Sequence, residues 1–444
     1  MRRFLFRLAL LLPLASILAA ASPGLRISDN GRHLLDPDGK PVFLLADTAW
    51  SLPSRYSPRE VSDYLDAVAR GPFNTVQVSA VFPPSDRPLL SGAFKDQDLL
   101  SPEPLYWANV DWVVRQITGR GLIAVVNPIW KKGTDDLLEA HGPERCREFG
   151  RWFGRRYVDD PRVIYFIGGD AEPRRVAEEL AAMAEGIQEV YGGRAIVAYH
   201  NSSDRSSLDA YPERPAWLNW NWTYAYSPDY REEYPYGQNH RNYRTDPPLP
   251  IHFGEGYYDF GRNFRTPISD RWGNRYILRR QAWWAGFLTG ASGYAYGAEA
   301  IWKHNHYEYP WQGALRYESR RDMHQVRALV DRLPWWTLVP DLERRFLLGP
   351  RDGGDDQAVA ALSGDRRLAV LYTPVHQPLE LDLGQLAPGL LSASWMDPSD
   401  GSLSPLRKAR KDRWELLPPE KNAAGDGDFI LILEIADGSE NRNP

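Results

Sequence analysis

Eight apolar runs punctuate the first two-thirds of the chain: 42–50 (VFLLADTAW), 73–82 (FNTVQVSAVF), 122–130 (LIAVVNPIW), 163–170 (VIYFIGGD), 195–202 (AIVAYHNS), 217–226 (WLNWNWTYAY), 248–258 (PLPIHFGEGYY) and 291–302 (ASGYAYGAEAIW). Most are short and rich in β-branched or aromatic residues, as strands buried on both faces should be. Between them the apolar period lengthens to that of a helix. Val61, Tyr64, Leu65 and Val68 share one face behind the cap-like Ser57-Pro58, and Val110, Val113, Val114 and Ile117 repeat the spacing. Cys146, Phe149, Gly150 and Phe153 form a third stripe, and Val176, Leu180, Met183, Ile187 and Val190 a fourth. Tyr276, Ile277, Trp283, Trp284, Phe287 and Leu288 form a fifth. Stripes of this kind are core faces. The stretch 227–247 is polar and rich in Tyr and Pro, and reads as a loop. Strands alternating with helices over about 250 residues predict a (β/α)8 TIM barrel in the α/β class. A doubly wound open sheet is the alternative, but no Gly-rich phosphate loop follows the first run.

Beyond Phe346 the pattern changes to short strands separated by turn signals such as Gly-Asp and Pro-Ser-Asp-Gly. This predicts a C-terminal antiparallel β-sandwich. The expected organisation is a signal peptide over 1–21, a barrel over 22–342, the sandwich over 343–437 and a flexible tail over 438–444. The leader rests on Arg2-Arg3, the apolar stretch 4–18 and the small residues Ala19-Ala20-Ala21. It is too short and wrongly flanked for a membrane span, and it predicts a periplasmic or secreted protein without stable membrane insertion.

Composition narrows the chemistry. A net charge of −5 gives no basic field for nucleic acid. The single cysteine, Cys146, excludes an intrachain disulfide framework and a Cys-rich metal cluster. The chain has 17 Trp and 23 Tyr, and their flat faces raise carbohydrate as a ligand, against the plainer reading of a Trp-rich core.

A barrel of this kind places its active site at the carboxyl ends of the strands. The polar and aromatic groups closing the runs are Asp47, Trp50, Asn127, Asp170, His200, Asn201, Trp220, Asn221, Glu255, Tyr258, Tyr296 and Glu299. Asp170 and Glu255 stand out, because two carboxyls facing each other across an aromatic cup are what glycoside hydrolysis needs. Each is otherwise a solvated loop carboxylate or an arginine partner. Asp47, Trp50, Asn127, His200, Trp220, Asn221, Tyr258 and Tyr296 are the candidate substrate contacts. For Asp47 the alternative is an ion pair, for His200 a satisfied buried imidazole, and for Trp50 and Trp220 core packing. His304-Asn305-His306 reads as a polar turn without an identifiable third metal ligand. No metal or other cofactor is expected, and His-Glu-x-x-His, Cys-x-x-Cys and Gly-x-Ser-x-Gly motifs are absent from the sequence.

The motifs LADTAW (45–50), YFIGGD (165–170), PIHFGEGYYD (250–259), SGYAYGAEAIW (292–302) and PWWTLVPD (334–341) occur in that order. Together they resemble the apiosidase-like family of glycoside hydrolases, family 140 and its relatives. ASWMDPSDG (393–401) resembles the core of the β-sandwich, once labelled collagen-binding, that such barrels carry. The resemblance implies a (β/α)8 hydrolase of an oligosaccharide or polysaccharide. It implies Asp170 as acid/base, Glu255 as nucleophile, and Asp47 and Trp50 at the sugar-binding end. The chain departs from the family pattern at Gly256 and Asp259, across 218–222 and at Gly293-Tyr294, all near the cup, which leaves the sugar open. The expected activity is cleavage of a glycosidic bond in a plant or microbial glycan, with retention. The alternative is a non-catalytic carbohydrate-binding or adhesion protein on a degenerate barrel.

Overall fold

The computed structural model describes residues 24–82, 92–225, 235–260, 274–305, 309–350, 356–407 and 412–436. The leader, the tail and His306 lie outside these residues.

Each of the eight apolar runs holds one barrel strand: β1 Leu44–Thr48, β2 Thr75–Ser79, β3 Ile123–Asn127, β4 Val163–Gly168, β5 Val197–His200, β6 Asn221–Tyr224, β7 Ile251–Glu255 and β8 Gly293–Gly297. They pair in parallel in the order β5-β4-β3-β2-β1-β8-β7-β6. The period-2 alternation sorts two cores. Leu45, Val76, Val126, Tyr165, Tyr199, Phe253 and Tyr294 face the helices. Leu44, Ile123, Val125, Ile164, Phe166, Ile196, Ala198, Trp220 and Trp222 fill the interior.

The β5/β6 seam is closed by side chains. Ser207 Oγ donates to Tyr199 O (2.7 Å) and accepts from Tyr199 N (3.1 Å) and Trp222 N (2.8 Å). Asn219 Oδ1 accepts from Val197 N (2.9 Å), and its amide donates to Ala195 O (2.8 Å). Three short N-terminal strands, Arg26–Ile27, Leu34–Leu35 and Pro41–Val42, fold under the barrel, and Leu34 joins its interior core.

The helices include α1 Pro58–Ala69, α2 Pro104–Thr118, α3 Asp135–Arg155, α4 Ala177–Val190, α5 Ser207–Ala210, α6 Pro235–Tyr243, α7 Arg275–Gln281 and α8 Glu318–Arg332. A capping box starts α1, with Glu60 Oε2 accepting from Ser57 N (2.8 Å) and Ser57 Oγ from Glu60 N (3.4 Å).

Two expectations change. The stretch 227–247, read as a loop, contains α6. Its buried face is polar: Gln238 Oε1 accepts from Tyr224 N (3.2 Å), and Asn239 Nδ2 donates to Ala285 O (2.7 Å). A helix seated by amide side chains carries no apolar stripe, so periodicity passes over it. The stripe over 276–288 is two elements, α7 and a π-helical turn Ala282–Leu288. That turn is buried throughout because the C-terminal domain covers its outer side.

The C-terminal domain has a six-stranded antiparallel sheet of Leu338–Pro340, Val359–Ser363, Leu368–Thr373, Phe429–Ala436, Leu390–Met396 and Leu403–Pro405, in that spatial order. A three-stranded sheet, Leu347–Gly349, Leu379–Asp382 and Arg413–Leu416, packs on its outer face. The inner face (Val359, Ala361, Val370, Tyr372, Ile430, Ile432) joins the barrel's own core. Among the described residues, no helix is long and apolar enough to cross a membrane.

Candidate active site

The site begins with the turn after β4. Gly168 (φ 96°), Gly169 (φ 135°) and Asp170 (φ 53°) all have positive φ. A Cβ on Gly168 would lie 2.6 Å from His200 O, and one on Gly169 2.5 Å from the Trp130 ring. Only glycines let the backbone bend here, and the bend lifts Asp170 over the barrel mouth. Gly169 N donates to His200 O (3.0 Å), and Asp170 N donates to His200 Nδ1 (3.0 Å).

That second bond fixes the imidazole. A backbone N–H can only donate, so Nδ1 accepts and the ring proton sits on Nε2. Nε2 therefore donates to Glu255 Oε2, 2.5 Å away. The other carboxylate oxygen is reached along a similar chain. Trp50 Nε1 donates to Tyr258 Oη (2.7 Å), and Tyr258 Oη donates to Glu255 Oε1 (2.9 Å). Glu255, whose side chain is 6% exposed, thus accepts from two directions, the pattern of an ionised carboxylate. Asp170 sits higher, its side chain 29% exposed, with Oδ1 accepting from Tyr224 Oη (3.2 Å) and Oδ2 paired with the ammonium of Lys132.

Both carboxyls line one cavity of about 470 Å³. Its walls are Trp50, Phe82, Trp130, Tyr224 and Trp302, and its rim carries Arg55, Lys132, Lys303 and Asn305. His200, Phe166 and Trp222 pack beneath, with His200 5.2 Å from Trp222 and Phe166 4.8 Å from it, ring centre to ring centre. A second cavity of about 350 Å³, lined by Lys131, Lys132, Glu172, Arg174 and Ser202, shares Asp170 with the first. Asp170 therefore stands between an aromatic chamber and a charged one.

Of the candidates read from sequence, Trp50, Asp170, His200, Glu255 and Tyr258 converge here. Five do not. Asp47 points out toward the helices, fully buried, accepting from Tyr64 Oη (2.8 Å) and pairing with Arg320 Nη1 (2.7 Å). Burial pushes its carboxyl up, and the Arg320 charge opposes that. Tyr296 also faces the helices, its hydroxyl on Asp259 Oδ2 (3.2 Å). Asn127 is tied down inside the barrel, accepting from Ser79 Oγ (3.1 Å) and donating to Gly168 O (3.0 Å). Trp220 is fully buried in the interior layer, 5.2 Å from the His252 ring. Asn221 points the opposite way from its neighbour Trp222 and is fully buried. The strand end alone does not say which way a residue turns, so alternate positions on one strand divide between cup and helices. Nor does Asn201 reach the cup: its amide donates to Ser206 O (3.0 Å). Glu299 pairs with Lys303 Nζ (2.6 Å), and burial raises its carboxyl.

Sequence reasoning missed Tyr224, Phe82, Trp130 and Trp302 as cavity walls. Each ends or nearly ends an apolar run, so the carboxyl-end rule applied to aromatic as well as polar residues would have found them. Lys132, Lys303 and Asn305 come from loops, where no pattern marks them.

The family model described as the apiosidase-like catalytic domain matches residues 28–337. The chain belongs to the apiosidase-like family. It is a glycoside hydrolase. Residues 339–434 match a model described as "Putative collagen-binding domain of a collagenase". Among solved structures, one described as a glycoside hydrolase is 22% identical with a TM-score of 0.80, covering 95% of this chain and 98% of its own. A glycoside hydrolase family 5 structure from Bacteroides vulgatus is also 22% identical at 0.80, covering 95% of each chain. At that identity both establish the shared fold of this apiosidase-like chain. No curated protein sequence matches it.

Proposed function

We propose that this apiosidase-like hydrolase cleaves a glycosidic bond of a plant or microbial glycan with retention, using Glu255 as nucleophile and Asp170 as acid/base. One observation carries the reading: a single imidazole, His200, accepts from the backbone of Asp170 and donates to the carboxylate of Glu255. It holds the two groups at fixed places in one cavity and turns a donor toward Glu255. A nucleophile must be ionised, and both His200 and Tyr258 offer Glu255 the donors that an ionised carboxylate accepts. The acid must reach the leaving oxygen, and Asp170 is the more exposed of the pair, at the border between the two chambers.

In the first step a carboxylate oxygen of Glu255 bonds the anomeric carbon while the bond to the leaving oxygen breaks and Asp170 protonates that oxygen. In the second, Asp170 takes a proton from water, whose oxygen displaces Glu255. The Lys132 ammonium lies on Asp170 Oδ2, so substrate entry must move this exposed lysine side chain aside. The aromatic chamber takes the sugar that bonds Glu255, and the charged chamber takes the leaving group. The leader at 1–21 supports action in the periplasm or outside the cell.

The test is Asp170→Asn assayed on two leaving groups. Loss on the order of 10³-fold is expected with an unactivated sugar aglycone and little loss with a nitrophenyl glycoside, since only the former needs the proton. Equal losses on both overturn the acid role. NMR of the first-formed anomer tests retention.

A further inference from the structure

A third cavity, of about 390 Å³, opens where the base of the barrel meets the edge of the C-terminal sheet. Its wall includes Ala291, just before β8, and His33, beside the Leu34 that closes the barrel from below. It therefore lies at the amino ends of the strands, opposite the Asp170–Glu255 cup. Edge strand Leu338–Pro340 and the turn at Asp365 supply the other side.

Its surface differs from a packing defect in three respects. Trp336 is 41% exposed, a large apolar face left in water, held edge-on at 90° by Trp335 at 6.2 Å. Arg32 lies 3.9 Å over the Tyr243 ring and donates to Tyr243 O (2.7 Å), so its guanidinium is set in one plane. His33 is only 6% exposed, and its Nδ1 has no hydrogen-bond partner among the described residues. A buried imidazole nitrogen without a partner is costly.

We infer that this cavity is a second, non-catalytic glycan-binding site that takes a short run of neutral pyranoses. A sugar ring has one flat C–H face and a rim of hydroxyls. The indole of Trp336 meets the face, and Arg32 and Asp365 meet the rim with both donors and acceptors. Arg32 and Asp365 bring opposite charges, so the site has no net preference for an ionic ligand. The volume is at the low end for small-ligand sites, which limits it to a few rings of a longer chain. Such a site anchors a polymer beneath the barrel while the cup works above. It does not depend on the roles given to Asp170 and Glu255.

The test uses the full chain with Asp170→Asn and Glu255→Gln, so that no probe is consumed. Affinity electrophoresis is run through xylan, galactan and mixed-linkage β-glucan, with polygalacturonate and denatured collagen as comparisons. At least one neutral polysaccharide is expected to retard the protein. Adding Trp336→Ala is expected to weaken that retardation by about tenfold, and Trp336→Phe by less. In the otherwise active enzyme, Trp336→Ala leaves turnover of a soluble aryl glycoside and the unfolding temperature unchanged. No retardation by a neutral glycan, retardation indifferent to Trp336, or retardation only by polygalacturonate or collagen overturns the inference. So does a dimer in size-exclusion chromatography that Trp336→Ala abolishes, because the face would then serve self-association.

Discussion

At Glu255 the direction of each hydrogen bond traces back to a group that can only donate. Trp50 can only donate, and Tyr258 Oη, which accepts from it, donates a hydrogen bond in turn to Glu255. The backbone of Asp170 can only donate, so His200 must do likewise. Tyr258→Phe removes one charge-assisted bond from Glu255 and should lower kcat/KM by about 10–100-fold on an aryl glycoside without unfolding the protein. An unchanged kcat/KM would detach Tyr258 from the chemistry. Asp259 tests burial instead. Burial pushes its carboxyl up to about 6, although the Ser319 and Tyr296 hydroxyls donate to it. The folded form holds this proton more tightly than an unfolded Asp does. Its stabilising contribution is therefore full below about pH 4 and lost as the pH rises through about 6, a change of roughly 3 kcal/mol. Asp259→Asn should flatten denaturant stability between pH 4 and 8, and a parallel slope in both proteins would remove this account.

At the level of elements, the strands and their amphipathic helices were legible because each run is a local pattern. The strands lie inside the eight apolar runs, and the buried faces of α1 and α2 are the ones periodicity selects. The same reasoning passed over α6, whose buried face is amide-rich, and merged α7 with the π-helical turn, whose whole surface is covered. It also gave no sign of the β5/β6 seam, where a hydroxyl at the start of α5 bonds backbone on both sides. Ser207→Ala leaves those buried groups unpaired and should cost about 1–3 kcal/mol in urea denaturation. A cost near zero would mean that the seam closes without it.

Across the whole molecule, the C-terminal domain braces the barrel. The central strands of its six-stranded sheet, Val359–Ser363, Leu368–Thr373 and Phe429–Ala436, are covered on both faces, one by the barrel core and one by the smaller sheet. Arg279 of α7, fully buried at the joint, pairs with Asp322 (3.0 Å), Asp426 (2.7 Å) and Asp428 (2.7 Å), while Trp284 Nε1 donates to Gln357 O (2.9 Å). Asp428 also accepts from Tyr372 Oη (3.1 Å) and Asn422 Nδ2 (2.6 Å). Asp428→Ala strands part of a buried charge and should cost about 3–5 kcal/mol, read as a single unfolding transition at lower denaturant. If the barrel instead unfolded at its original midpoint, the two domains would be independent.

The amino-acid sequence by itself determined the eight strands, the helices α1 to α4 and the Gly-Gly-Asp turn, because each is written in neighbouring residues. Tertiary structure decided which of the remaining strand-end groups serve the cup. A strand with apolar residues on both faces fixes which positions share a face, but leaves open which face looks inward. That choice sent Asp47 to Arg320 and Trp50 to Glu255's hydrogen-bond chain, and it was made only when the sheet closed around its interior and the helices covered its outside.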